Sequence, residues 1–301
     1  MQQQPVIVPR RSVLYMPGAN PRALEKARSL PADALILDLE DSVAPESKTA
    51  ARDHVIAALR NGGYGHREIA IRVNGLASPW FSDDVAACAR TDANAIVLPK
   101  AESAEDIDRV SDALRRAGAP DRLKVWAMIE TPIAVLRAAE IAGAARHARS
   151  RLNCLIVGLN DLAKETRIEM EPTRSGAVAW LSLIVAAARA YGLDVLDSAF
   201  NNFRDKDGLR AECRQGRTFG FDGKTLIHPD QIEAANEIFA PVATDVAWSR
   251  KIIAAFDQPG NQGKGVINLE GRMVELLHLA SARRLIALDD AIARLRSGGH
   301  P

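Results

Sequence analysis

Eight short runs rich in Val, Ile and Leu recur along the chain, each followed by a polar turn and then an Ala-, Leu- and Arg-rich stretch with helical spacing. They are SVLYM (12–16), ALILDL (34–39), IAIRV (69–73), AIVLP (95–99), KVWAMI (124–129), CLIVG (154–158), LDVLD (193–197) and GKTLI (223–227). Near-continuous apolar strands that alternate with helices predict a parallel sheet covered on both faces. Eight such units, at about 30 residues each, suit a (β/α)8 TIM barrel of about 250 residues. A doubly wound sheet is the rival, but its Gly-rich fingerprints are absent. DGKT (222–225) imitates a P-loop ending with Thr218 where the first Gly belongs, and GNQGKG (260–265) follows no strand. The expectation is an α/β chain with a barrel over residues 1–240 and a C-terminal helical lid extension over 241–301.

Charge and composition narrow the partners. Lys and Arg exceed Asp and Glu by one, the pI is near 7.8, and no basic stripe is interleaved with aromatics, so a nucleic-acid footprint is missing. Small molecules or other protein chains are the expected partners. The N-terminal MQQQPVIVPRR has no long apolar segment, and nowhere does the chain approach the roughly 18 to 20 apolar residues of a membrane span. We read a cytoplasmic protein. Cys88, Cys154 and Cys213 are odd in number and far apart, which fits reduced thiols better than disulfides or a CxxC metal site.

Helix starts mark where the strands stop. Thr131 can cap and Pro132 takes a first helical position, and Pro229 with Asp230 repeats the device. In a barrel the active site forms at the C-terminal strand ends. Those ends carry Asp38, Glu40 and Asp41; Arg72 and Asn74; Lys100 and Glu102; Glu130; Asn160 and Asp161; Asp197; and Lys224 and His228. Converging carboxylates with few His suit a hard cation such as Mg²⁺. The six His lie apart with no HExxH, which speaks against zinc, and no GxSxG elbow supports a serine hydrolase. A carboxylate-bound metal beside an arginine is equipment for a 2-oxo or 2-hydroxy acid.

The segments RRSVLYMPGANPRALEKARSLPADALILDLEDSVAPESKTAAR, RVN, VLPKAES, MIETPIAVLRAAEIA, GLNDLAKE and FGFDGKTLIHPDQIEAANEIFAP together resemble the HpcH/HpaI aldolase and citrate lyase superfamily, within it the citrate lyase beta subunit-like CoA ester lyases. The resemblance runs from about Arg11 to the end of the chain. It implies a TIM barrel, trimeric or hexameric, that binds Mg²⁺ (or Mn²⁺) and makes or breaks a C–C bond next to a CoA thioester carbonyl. It implies Glu130 and Asp161 as metal ligands, with Glu40 and Asp41 in or near the surrounding shell, and Arg72 as the group that meets the substrate carboxylate or enolate. Backbone N–H groups around Leu159 and Asn160 look like a cradle for the keto-acid carboxylate. Asn20, Arg22 and Lys26 match the segment that meets the CoA phosphates and adenine, and Lys100 looks like an orienting residue for the acids.

The base in many such lyases is an Asp in a GxMID-like motif reaching over a neighbouring subunit. Here KGVINLEGRMVELLH puts Glu275 at that position, and a Glu can move the same proton with one more methylene of reach. NLEG reads as a turn between short strands, and MVELLHLASARRLIALDDAIARL as a strongly amphipathic final helix. The leading expectation is cleavage of malyl-CoA, citramalyl-CoA or a near relative to acetyl-CoA and a 2-oxo acid. A malyl-CoA-type thioesterase, a citrate lyase beta-type subunit working on a citryl thioester of an acyl carrier protein, and a Schiff-base aldolase using Lys100 stay open.

Overall fold

A computed structural model describes residues 7–297. The N-terminal segment read above for the absence of an apolar leader lies partly outside that range. The chain divides into two compact units, Arg10–Phe239 and a second one made of the segment before Arg10 together with Ala240 onward.

The first unit is a closed barrel of eight parallel strands, each hydrogen-bonded to the next and β8 to β1. The strands are β1 (Ser12–Pro17), β2 (Ala34–Asp38), β3 (Glu68–Arg72), β4 (Ala95–Leu98), β5 (Lys124–Ile129), β6 (Leu152–Val157), β7 (Asp194–Asp197) and β8 (Gly223–Leu226). Between and after them run α1 (Pro21–Ala27), α2 (Lys48–Asn61), α3 (Phe81–Cys88), α4 (Ala104–Arg116), α5 (Pro132–Leu136), α6 (Ala138–Gly143), α7 (Leu159–Thr166), α8 (Val178–Ala190), α9 (Lys206–Phe219) and α10 (Ile232–Ile238). Every apolar run of the sequence is a strand, with ends shifted by no more than two residues. Thr131 caps α5 by accepting from the Ala134 N–H, with Pro132 as the first helical residue.

Alternation divides each strand between two cores. Val13, Ile36, Ala70, Val97, Trp126, Cys154, Ile156 and Leu196 fill the barrel interior. Their neighbours Leu14, Leu35, Leu37, Ile71, Ile96, Leu98, Leu155 and Val195 face the helices in the larger outer core. The interior is thus packed solid, as parallel barrels require. Its N-terminal end is closed by Arg10, whose guanidinium bonds Glu68 at 2.6 and 2.7 Å and Asp194 at 2.6 Å, and lies 4.9 Å from the Trp126 ring centroid. The three cysteines are buried and free.

The second unit pairs α11 (Ala243–Phe256) with α12 (Leu276–Ser297) and holds a hairpin of β9 (Val266–Leu269) and β10 (Arg272–Glu275). Ile252, Phe256, Ile267, Val274, Leu279 and Ala282 form its core. The turn expected at NLEG is made by Glu270 and Gly271, with Asn268 and Leu269 ending β9. The last helix starts later than expected: Met273–Glu275 are strand and the helix begins at Leu276; Leu279, Ala282, Ala291 and Ile292 are buried, while Met273, Leu276 and Leu277 are exposed. Among the described residues no helix is long and apolar enough to cross a membrane.

Candidate active site

The inward parity that places Ile36 and Ala70 in the barrel interior carries on to Asp38 and Arg72 at the C-terminal ends of β2 and β3. These two meet as a fork: Arg72 Nε and Nη2 donate to Asp38 Oδ1 and Oδ2 at 2.6 and 2.7 Å. Arg72 Nη1 donates to Asp41 Oδ2 at 3.3 Å and forms an ion pair with Glu40 Oε2 at 3.0 Å, out of line for a hydrogen bond. The Tyr15 ring, one inward position above Val13, lies 4.9 Å from the guanidinium carbon. Burial opposes ionisation of both Asp38 and Arg72. Their mutual bonds and charge outweigh it, so Asp38 sits below the ordinary carboxylate range and Arg72 above the ordinary guanidinium value. Burial, against the pull of Arg72, raises the Tyr15 phenol and keeps it protonated.

The loop after β2 is held from two sides. Asp38 accepts from the Glu40 and Ser42 N–H groups at 2.9 and 3.1 Å. Buried Lys48 donates from Nζ to the Leu39 and Glu40 carbonyls at 2.9 and 2.7 Å. Glu40 then reaches Lys100, whose Nζ is 3.1 Å from Oε1. Burial raises the Glu40 carboxyl despite Arg72 and Lys100, and Asp41 adds to the rise. For Lys100 partial burial would lower the pKa, but Glu40, Glu130 and Asp41 together lift it.

Glu130 follows β5 and is almost fully buried. Its Oε1 accepts from the Lys100 backbone N–H at 2.8 Å, a bond aimed by the left-handed conformation of Lys100 (φ 49°). Its Oε2 fits against Gly158, where a Cβ would come within 2.6 Å of that oxygen and 2.5 Å of the Glu130 Cβ. Burial pushes the carboxyl up to about 7; Glu40 and Asp161 add to the rise, while the Lys100 amide and ammonium oppose it. Asp161 lies in the first turn of α7, which starts directly after Gly158. This donor set is oxygen only, and the charges of Glu40 and Asp161 add to the rise at Glu130. Such a set fits a hard cation that takes one or two carboxylates and completes its shell with water and substrate. Among the described residues no cluster of three or more His, Cys, Asp or Glu side chains is arranged to hold a metal.

The barrel mouth therefore brings together Arg72, Glu40, Asp41, Lys100 and Glu130, with Asp161 close enough to act on Glu130 electrostatically. Leu159 opens α7, and the Asn160 side chain exchanges two hydrogen bonds with Asn201 at 2.7 and 3.2 Å. Both border a cleft of about 300 Å³ walled by Met170, Pro172 and Phe200. Asn20 caps α1, and Arg22 and Lys26 are exposed on it. Glu275 ends β10 in the second unit, its N–H donating to His278 Nδ1 at 3.0 Å.

Other strand-end residues serve elsewhere. Asn74 is bonded to Asp84. Asp197 and Lys224 have the outward parity and meet each other at 3.1 Å, joined by Arg174 at 2.7 Å from Asp197 and by Glu212 of α9 at 2.5 Å from Lys224. Tyr15, Lys48 and Gly158 were missing from the sequence-derived site. A phenol in an aliphatic strand and a glycine directly before the Asp161 helix were the signals for the first and last; nothing marked Lys48.

The family model described as HpcH/HpaI aldolase/citrate lyase matches residues 11–229. A (3S)-malyl-CoA thioesterase of Cereibacter sphaeroides (strain ATCC 17025 / ATH 2.4.3) is 47% identical over 285 residues, covering 95% of this chain and 96% of that one. The L-malyl-CoA/beta-methylmalyl-CoA lyase of Cereibacter sphaeroides (strain ATCC 17029 / ATH 2.4.9) is 32% identical over 317 residues, covering 97% and 98%. The crystal structure of CitE from Mycobacterium tuberculosis in complex with magnesium, acetoacetate and coenzyme A superposes with a TM-score of 0.71 at 29% identity, covering 93% of this chain and 97% of that one. With a barrel of this topology and a match across nearly all of it, the chain belongs to the HpcH/HpaI aldolase/citrate lyase family.

Proposed function

We propose that the protein is a Mg²⁺-dependent C–C lyase that cleaves, or in reverse forms, a 3-hydroxyacyl-CoA of the malyl-CoA or citramalyl-CoA type, with acetyl-CoA and a 2-oxo acid on the other side. The observation that carries this reading is the mouth itself: an arginine gripped on two edges by carboxylates, beside a buried glutamate that lacks a full counter-charge. Glu130 and Asp161 would hold the Mg²⁺, with Mn²⁺ as a substitute. Bound there, the ion supplies Lewis-acid stabilisation of negative charge on the hydroxyl or keto oxygen of the acid.

The chain's own groups do the rest. The N–H groups at the start of α7, around Leu159 and Asn160, have no partner inside the helix and point their dipole at a carboxylate. Arg72 is fixed by Asp38 on one edge; its Nη1 lies against exposed Asp41 at 3.3 Å, a contact that a thioester enolate oxygen would replace. Lys100 keeps Glu40 and Glu130 in place, through its ammonium and its backbone N–H. Glu275, reaching in from a neighbouring copy of a trimer or hexamer, is the base that takes the hydroxyl proton, and the residues 241–301 extension is the lid that brings it. Asn20, Arg22 and Lys26 meet the CoA phosphates and adenine.

Hydrolysis of the same thioester is the second reading, favoured by the 47% identity to a malyl-CoA thioesterase across 95% of the chain. One assay separates the two. (3S)-Malyl-CoA and citramalyl-CoA are incubated with Mg²⁺ or EDTA, for wild type, Glu130→Ala and Glu275→Ala. Metal-dependent acetyl-CoA and 2-oxo acid, lost in both variants, is the expected result. Free CoA with intact malate establishes the hydrolase, and no turnover of any free CoA thioester moves the assignment to a carrier-dependent citrate lyase beta-type subunit.

A further inference from the structure

The loop between α2 and β3, residues 62–67, is built around α1. Helix α1 has seven residues and buries only Leu24 and Ala27, too little to hold a helix of two turns by itself. Its start is fixed by Asn20 and Pro21. Its end is fixed by Arg67, which spends its donors on carbonyls: Nε on Tyr64 O at 2.7 Å, Nη1 on Ala27 O and Leu30 O at 2.7 and 2.6 Å, and Nη2 on Arg28 O. Those last three are carbonyls at and just past the helix end, where the macrodipole favours a cation. Among the described residues Arg67 has no carboxylate within ion-pair distance, which is unusual company for a half-buried guanidinium, and burial lowers its pKa.

Tyr64 completes the grip. Its hydroxyl donates to Leu24 O at 3.1 Å, and its ring lies 5.6 Å from the Arg28 guanidinium carbon, while Arg28 in turn pairs with Glu25 at 2.7 Å. The loop can wrap the helix because Gly62, Gly63 and Gly65 all take positive φ; at Gly63 a side chain would also press on Arg28 Cδ at 3.1 Å. On the open face of the same helix stand Arg22 and Lys26, four residues apart, exposed and, among the described residues, without an ion pair.

We propose that Arg67 is a positioning residue for the nucleotide end of the substrate: by clamping the last turn of α1 it sets Arg22 and Lys26 at the spacing and orientation that meet the CoA phosphates. This rests on the reading of α1 as the CoA segment. Arg67 itself touches no substrate. A lysine could not replace it, since one compact ammonium does not span carbonyls that a planar fork reaches together.

The test compares a substrate that has the phosphates with one that lacks them. KM and kcat are measured for (3S)-malyl-CoA and (3S)-malyl-pantetheine with wild type, Arg67→Gln and Tyr64→Phe, following total thioester loss so that lyase and hydrolase are read alike. For Arg67→Gln the KM for malyl-CoA should rise about tenfold, the weight of one charge-assisted phosphate contact, with kcat within about twofold and the malyl-pantetheine KM unchanged. Tyr64→Phe, which removes one hydroxyl, should move the same KM by about two- to threefold and keeps the proposal testable if Arg67→Gln does not fold. Direct titration of CoA should weaken in parallel. Equal shifts for both substrates, or a fall in kcat alone, would overturn the proposal by making Arg67 a general support of the barrel. Equal KM values for both substrates in the wild type would instead remove α1 from CoA binding and take the proposal with it.

Discussion

Gly158→Ala asks whether the close approach beside Glu130 is needed. The new Cβ would stand 2.5 Å from the Glu130 Cβ and 2.6 Å from its Oε2, where ordinary contact begins near 3.4 Å. Backbone conformation is not the obstacle, since Gly158 has φ −111°. The carboxylate can swing away, but the Glu130 Cβ is fixed to its strand, and Gly158 N–H is bonded to Ile129 O at 3.1 Å, so the two strand ends must part by about 1 Å. Overpacking of this kind costs about 1–3 kcal/mol. For a unit of this size that is a fall in Tm of about 2–12 °C. The same displacement turns Glu130 out of place, so the rise in Tm expected from Mg²⁺ at the proposed Glu130 and Asp161 site should shrink with it. Calorimetry of wild type and variant, each with EDTA and with Mg²⁺, reads both effects. A variant that melts with wild type and responds equally to Mg²⁺ would refute the reasoning, because it would show that the strand ends separate at no cost and that Glu130 need not stand where it does.

Asp197→Asn should destabilise the barrel by about 3–5 kcal/mol in urea unfolding at pH 7, because Arg174 and Lys224 are left buried with only Glu212 for two charges. The folded-state pKa of Asp197 is depressed, so its contribution is present above the unfolded value of 3.8 and is lost as pH falls toward the lower folded value. The gap between wild type and variant should therefore narrow only below about pH 4, and a gap that narrows between pH 7 and 5 contradicts this account. Borohydride added with pyruvate or glyoxylate should leave Lys100 unmodified by mass spectrometry, since its neighbours hold the amine protonated; a reduced adduct there would restore the Schiff-base aldolase. Arg72→Lys, which cannot keep the fork to Asp38, should lower kcat by about 10²–10³ with a smaller change in KM, and near-wild-type turnover would dismiss Arg72 as the oxyanion group.

The barrel was legible because buried parallel strands leave a strong mark: eight apolar runs with helical spacing between them cannot be read as many other things. The clustering of Glu40, Asp41, Arg72, Lys100 and Glu130 followed from the rule that strand ends gather at one mouth. Pooling every strand-end residue went too far. Counting by twos from interior Ile36, Ala70 and Leu196 separates inward Asp38 and Arg72 from outward Asp197, but with both faces of each strand apolar the sequence did not mark which parity points inward. Lys48 and Arg67 were not marked either. Each acts on backbone carbonyls outside its own element, and such contacts leave no periodic trace. The last helix was legible from its Leu and Ala spacing, with Leu279, Ala282, Ala291 and Ile292 buried; its start was placed three residues early, and its first turn presents Leu276 and Leu277 outward.

The solid interior between Arg10 and Arg72 makes the mouth a blind alley. Layers of Val13, Ile36, Trp126 and Ile156 leave no passage for water or protons to the far end, so everything that reacts enters and leaves by one opening. A single door imposes an order. If the small acid sits deeper than the thioester, as the proposed chemistry requires, then in the condensing direction the acid must arrive before the thioester closes over it. In the cleaving direction acetyl-CoA must depart first. The kinetic sequence of the enzyme would then be written in how its barrel is filled.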